Sequence, residues 1–206
     1  MHKIKLTKGE LKKQRDDLRQ YSRYLPTLQL KKQQLQIEIL HRVATLNEKK
    51  KLALEKYKIA GLWAGLLSDE SLDLKGFVKV ERVLTDPGNI AGVDFKVFKS
   101  AQFPEVEYDL FSTPLWVDRA VTELRDIASL NSEIAVLEET VSVLRRELRI
   151  ATQRVNLFEK VKIPESEEAI RAIKIFIGDQ MTNAVGRSKI AKKKIEQAAG
   201  ERLVSI

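Results

Sequence analysis

Apolar residues recur every seven positions over the first third of the chain. Ile4, Leu11, Leu18 and Leu25 open the series, and Ile39, Leu46, Ala53, Ala60 and Leu67 continue it. Lys32 is the one polar interruption. Tyr21, Leu28 and Leu35 supply a second seam, which later passes to Val43, Tyr57 and Ala64. A seven-residue period keeps one face of a helix against a neighbour, so the pattern predicts a long coiled-coil helix with a stutter. Its start is marked by Thr7 as N-cap with Glu10 three residues on, and by Leu6 and Leu11 at staple positions. Pro26 removes a backbone donor and predicts a kink.

A second heptad run follows Ser112-Thr113-Pro114, where Thr113 can cap and Pro114 suits the first helical position. Ala120, Ile127, Ile134, Val141, Leu148 and Val155 form one seam; Leu130, Leu137, Leu144, Ala151 and Phe158 form the other. Pro164 then interrupts, followed by Glu165, Glu167 and Glu168. The stripe resumes at Ile170, Ile177, Ala184, Ala191 and Ala198, flanked by Ile173, Met181, Ser188 and Ile195. Proline lacks an N–H and fits the first position of a restarted helix, and the acids that follow suit the positive end of its dipole. The small residues late in this seam predict close approach of a neighbouring helix.

Between the two runs the period falls to two. Val78, Val80 and Leu84 alternate with Lys79 and Glu81, and Val93, Phe95 and Val97 alternate with Asp94 and Lys96. Asp86-Pro87-Gly88-Asn89 lies between them with turn chemistry. A β-hairpin or small irregular cap is therefore expected over about residues 76–103. The fold class is α-dominated: a long antiparallel two-helix coiled coil with a small β-hairpin in the middle. The segments are 1–68, 69–112 and 113–206, the last with a break near Pro164. Both termini are expected at one end and the hairpin toward the other. Leu62, Trp63 and Leu66, with Leu115 and Trp116, read as a packed basal core or as part of a partner contact, the core being the expected one.

Composition narrows the chemistry. The 206 residues include no cysteine, which excludes disulfides, thiolate metal sites and a cysteine nucleophile, and fits a reducing intracellular setting. No apolar run approaches the roughly 18–20 residues of a membrane span. His2 and His41 are the only histidines, and both read as surface residues. No HExxH, phosphate loop or GxGxxG is present, so no metal, cofactor or catalytic residue is expected. Pairs such as Glu138-Glu139 and Glu167-Glu168 read as solvated helix faces.

The net charge of +8 is uneven, because residues 1–60 carry 16 Lys/Arg against 6 Asp/Glu. Lys3, Lys5, Lys8, Lys12, Lys13 and Arg15 crowd the N-terminus, and Arg187, Lys189, Lys192, Lys193 and Lys194 crowd the C-terminal helix. In an antiparallel pair the two clusters are expected to meet at one tip. Three readings follow: a solvated face, a nucleic-acid surface, or a tip inserted into a protein ring of complementary charge. No aromatic residues interleave with the charges, which disfavours nucleic acid.

Particular stretches sharpen the choice. Thr7-Lys8, Leu11, Leu18 and Leu28-Gln29-Leu30-Lys31-Lys32 resemble the N-terminal pattern of the D subunit family of V-type and A-type rotary ATPases. So do Asn89-Ile90-Ala91-Gly92-Val93 in the middle. Toward the C-terminus the resemblance is carried by Gln153-Arg154-Val155-Asn156-Leu157-Phe158-Glu159, Ile163-Pro164, Ile170-Arg171-Ala172-Ile173-Lys174 and Arg187-Ser188-Lys189. It covers nearly the whole chain in order. It implies a non-catalytic central-stalk axle that passes torque between an ion-translocating membrane ring and a catalytic nucleotide-binding ring. The implied partners are the catalytic and regulatory nucleotide-binding subunits, a small F subunit and the C (d-type) subunit. The implied place is cytoplasmic, peripheral to a membrane through the complex. A prefoldin-like chaperone and an RNA-binding coiled-coil arm are the alternatives that the bare architecture also allows.

Overall fold

The computed structural model describes residues 5–63, 65, 74–105, 114 and 116–204. Lys3, Ile4, Ala64, Leu66, Leu67, Ser112, Thr113 and Leu115 lie outside the described residues, as do His2 and the side chain of Ala198. In chain order the elements are helix α1 (Lys8–Trp63), the short helix α2 (Leu74–Val78), strands β1 (Arg82–Ile90) and β2 (Val93–Gln102), and helix α3 (Trp116–Leu157). A π-helical segment (Phe158–Lys162) and helix α4 (Ile163–Val204) complete them. The expected architecture is present: long N- and C-terminal helices with a small antiparallel two-stranded sheet between them. The chain divides into a terminal unit, Met1–Gln29 with Gln153–Ile206, and a central unit, Leu30–Thr152.

In the central unit α1 and α3 run antiparallel. Lys50 pairs with Glu138 at 2.5 Å and Lys56, farther along α1, pairs with Asp126, earlier on α3, at 2.8 Å. Leu35, Ile39, Leu46 and Ala53 of α1 are buried, as are Ala120, Ile127, Leu130, Leu137, Val141, Leu144 and Ala151 of α3. All of these are heptad positions of the two runs.

The hairpin does more than cap a connection. Val93 and Phe95 join Leu35, Ile39, Leu144 and Ala151 in one core, with Ile90, Ala91 and Val97 packed against it. The sheet thus lies along the helix pair as a third layer. Thr140, buried on α3, donates its hydroxyl to the Lys96 carbonyl at 2.9 Å. Arg125 donates to the carbonyls of Phe77 and Pro104, at 2.9 and 2.7 Å, and stacks over the Phe103 ring. One guanidinium therefore ties both ends of the hairpin segment to α3.

The hairpin differs from expectation in two details. Val78 closes α2 and β1 begins only at Arg82, so Val78 and Val80 are not strand residues. Asp86-Pro87-Gly88-Asn89 is not the turn either; all four lie in β1, paired with Val97, Lys96, Phe95 and Asp94. The chain reverses at Ala91-Gly92, whose φ angles of 52° and 71° are the pair of positive values a two-residue hairpin needs. Asn89 supports this turn by accepting the Gly92 N–H at 3.2 Å. Pro87 is tolerated because both strands of a two-stranded sheet are edges. Gly88 is required because the Phe95 ring lies across it, with Cε2 only 2.6 Å from where a Cβ would sit. A register shift after Leu84 leaves Lys99 as the extra residue of a bulge.

Among the described residues the terminal unit has no such third layer. Val155, Ser166, Ala169, Ile170 and Ile173 are buried, while Leu11, Leu18, Tyr21, Leu25 and Leu28 of α1 are half-buried. Tyr21 and Phe158 bring their rings within 5.3 Å. Pro164 does not restart a broken helix. The helix continues through it, widened into the π segment just before, where the Ile163 N–H bonds to the Phe158 carbonyl. Proline's ring clashes with the carbonyl four residues earlier, and a wider turn relieves that clash without ending the helix. Glu165 does sit in the first turn of α4, as expected.

Candidate partner-binding surfaces

At the N-terminus Thr7 accepts the Glu10 N–H at 3.2 Å and caps α1. The cap holds the first basic cluster on a formed helix: Lys8, Lys12, Lys13 and Arg15 are all exposed, as is Lys5 just before them. The capping box is half made, since the Glu10 carboxylate accepts from Gln14 instead of reaching back to Thr7.

The second cluster, Arg187, Lys189, Lys192, Lys193 and Lys194, is also exposed on α4, with a single ion pair from Lys192 to Glu196 at 3.7 Å. The structure does not bring the two clusters together. With Tyr21 level with Phe158, the first residue of α1 lies level with about residue 171. Arg187 to Lys194 are then about 25–35 Å farther along α4 at about 1.5 Å per residue.

This overhang changes the picture of the late seam. From residue 178 to 197 every side chain is exposed except Gly186, which is half-buried. Met181, Val185, Ile190 and Ile195 are 53–70% exposed, so no neighbouring helix among the described residues approaches the small stretch around Ala184 and Ala191. Large apolar side chains mixed with lysines over some twenty residues form a surface that another chain would cover. Leu62, expected in a basal core, is instead 87% exposed, while Trp63 and Trp116 are half-buried.

Along the central unit the electrostatics are those of solvated cross-helix pairs. Lys56 has its pKa raised above the ordinary 10.5, first by the hydrogen bond it donates to Asp126 and further by Glu123 at 3.8 Å. No group of three or more His, Cys, Asp or Glu is placed to hold a metal among the described residues. No described helix is long and apolar enough to cross a membrane. His41 is exposed.

Sequence reasoning missed Arg125 and Thr140, whose partners are carbonyls on a distant hairpin. It also passed over Arg145, Arg146 and Arg149. The Arg-Arg pair is plain in the sequence, but nothing in the local pattern distinguishes it from an ordinary helix surface.

The sequence meets its counterpart in known proteins. A family described as the D subunit of ATP synthase matches residues 10–193. The V-type ATP synthase D subunit of Borreliella burgdorferi is 44% identical over 198 residues, covering 95% of this chain and 96% of its own length. That of Chlamydia abortus is 37% identical, with 96% of each chain covered, and that of Chlamydia pneumoniae is 33% identical, with 98% of each covered. With agreement of this extent from end to end, the chain belongs to the ATP synthase D subunit family.

Proposed function

We propose that this chain is the non-catalytic central axle of a V-type ATP synthase. In this reading it carries torque between an ion-translocating membrane ring and a ring of nucleotide-binding subunits. The observation that carries the reading, beside family membership, is the uncovered length of α4: exposed apolar and basic side chains that no other described element covers. The terminal unit enters the ring of catalytic and regulatory subunits. Lys5, Lys8, Lys12, Lys13, Arg15 and the cluster from Arg187 to Lys194 face its lining, and Lys3 is assigned to the same surface. The central unit meets the small F subunit and the C (d-type) subunit, and the chain is held at the membrane only through the complex.

Mechanically the arrangement suits the task. Two helices that share a seam resist bending better than one, and solvated charge contacts exchange as a shaft turns, whereas an interlocked apolar contact would hold one angle. Unequal faces on the axle make different contacts with each of the surrounding subunits and so shift each toward a different conformation.

The test is recovery of the tagged full chain from its own cell lysate under gentle conditions, with the associated proteins identified by mass. Large nucleotide-binding subunits and a small partner near one-to-one are expected. Removing residues 178–206 is expected to abolish retention of the large subunits. Recovery of unfolded clients or RNA without ATPase subunits would overturn the reading in favour of a chaperone or an RNA-binding arm.

A further inference from the structure

The hairpin covers only one side of the α1–α3 pair. On α3 it takes up Thr140, Val143, Leu144, Leu148 and Ala151. At about 100° per residue, Glu138, Val141, Ser142, Arg145 and Arg149 fall on the roughly opposite arc. There the two helices form an open groove of ≈ 590 Å³. Its floor is apolar, with Leu46 and Val141 buried and Val43 half-buried beneath it. Its rim is basic: Arg145, Arg146 and Arg149 line it from α3, and Lys50 lines it from α1.

Among the described residues the charge of the three arginines is not neutralised. Glu138 is the only carboxylate of the lining, and it is engaged by Lys50 at 2.5 Å. The three arginines form no ion pair or hydrogen bond with any described residue, and all three are exposed. Arg145 and Arg149 stand four residues apart on one helix face, and Arg146 and Arg149 three apart. Like charges at these spacings destabilise the helix that carries them. The cost is recovered when carboxylates arrive from outside, because guanidinium groups bind them in paired hydrogen bonds.

We propose that this groove is a docking site for an acidic segment of a partner protein. The segment offers two or more carboxylates on either side of one apolar side chain. The arginines take the carboxylates, and the floor of Val43, Leu46 and Val141 takes the apolar residue as anchor. The volume holds several side chains of a short segment, the apolar anchor and its flanking carboxylates together, and not a whole helix. The apolar floor and the lack of any aromatic residue in the lining argue against a nucleic-acid strand, which would leave that floor uncovered and find nothing to stack on. The inference rests on the central unit alone and does not depend on the axle reading.

The experiment replaces Ser142, at the groove's edge, with the photo-crosslinking residue p-benzoylphenylalanine in the full chain, expressed in its own cells. The crosslinked segment is then sequenced by mass spectrometry. A segment with at least two Asp or Glu within about four residues of a Leu, Ile, Met or Phe is expected. The paired change Arg145→Glu with Arg149→Glu is expected to lower the yield at least about tenfold, while Arg145→Lys with Arg149→Lys retains part of it. The same crosslinker at Ile190 in α4 reports whether the charge-reversed chain still assembles, and its thermal melt reports whether it folds. The proposal is overturned by a crosslink to nucleic acid, by a segment without carboxylates, by no crosslink at Ser142, or by a yield indifferent to charge reversal in a folded, assembled chain.

Discussion

The central and terminal units carry the same seven-residue grammar and end with different interiors. Ala53 in the central unit is 5% exposed, while Ala184, on an equivalent stripe in the terminal unit, is exposed. In the central unit a helix pair gains a third layer, and Leu35 and Leu144 become fully buried beneath Val93 and Phe95. In the terminal unit two helices cover each other up to about Ile177, and beyond it no described residue lies against the stripe of α4. The contrast shows what a heptad establishes. It marks the face that requires a partner, and it leaves open whether that partner is a helix of the chain, a sheet, or another protein.

The comparison can be broken most decisively at Leu144. Its replacement by alanine, under the hairpin, is expected to cost about 2–5 kcal/mol, read from the shift in a denaturant unfolding midpoint. A loss below about 1 kcal/mol would mean that the third layer is not packed. Gly88→Val comes next. Its side chain meets the Phe95 ring, and a loss of about 1–3 kcal/mol is expected, partly restored when Phe95→Ala is added. Equal losses with and without Phe95 would place the cost in the backbone instead of in the ring contact.

The Lys56–Asp126 pair sharpens the comparison at smaller scale. Lys56→Met is expected to cost under about 1 kcal/mol near neutral pH, since the pair is solvated. The folded-state pKa of Lys56 lies above 10.5, so its contribution is fully present below that value and is lost as pH rises through the folded pKa. A titration of stability from pH 9 to 12 should show that loss in the native chain and not in Lys56→Met. The smallest effect belongs to the terminal unit. Ile190→Ala is expected to change the stability of the isolated chain by less than about 0.5 kcal/mol, because Ile190 is 61% exposed. A large loss there would show that α4 is covered after all.

Much of this molecule is legible without coordinates. The helices, the seams through Ile39, Leu46, Leu137 and Val141, and a hairpin built on Val93, Phe95 and Val97 follow from side-chain periods of seven and two, and the Thr7 cap from its spacing to Glu10. Those periods act between near neighbours, so local sequence carries them. The local pattern misplaces the turn because Asp86-Pro87-Gly88 has turn chemistry for a different reason: Gly88 yields space to Phe95 from across the ladder. The π segment escapes a local reading because proline forbids one hydrogen bond without saying whether the helix ends or widens. Where the hairpin lies, which face of α3 it leaves open to Arg145 and Arg149, and where α4 outruns α1 belong to tertiary structure. They depend on contacts between residues tens of positions apart, and periodicity can identify the face that wants covering but not the surface that reaches it.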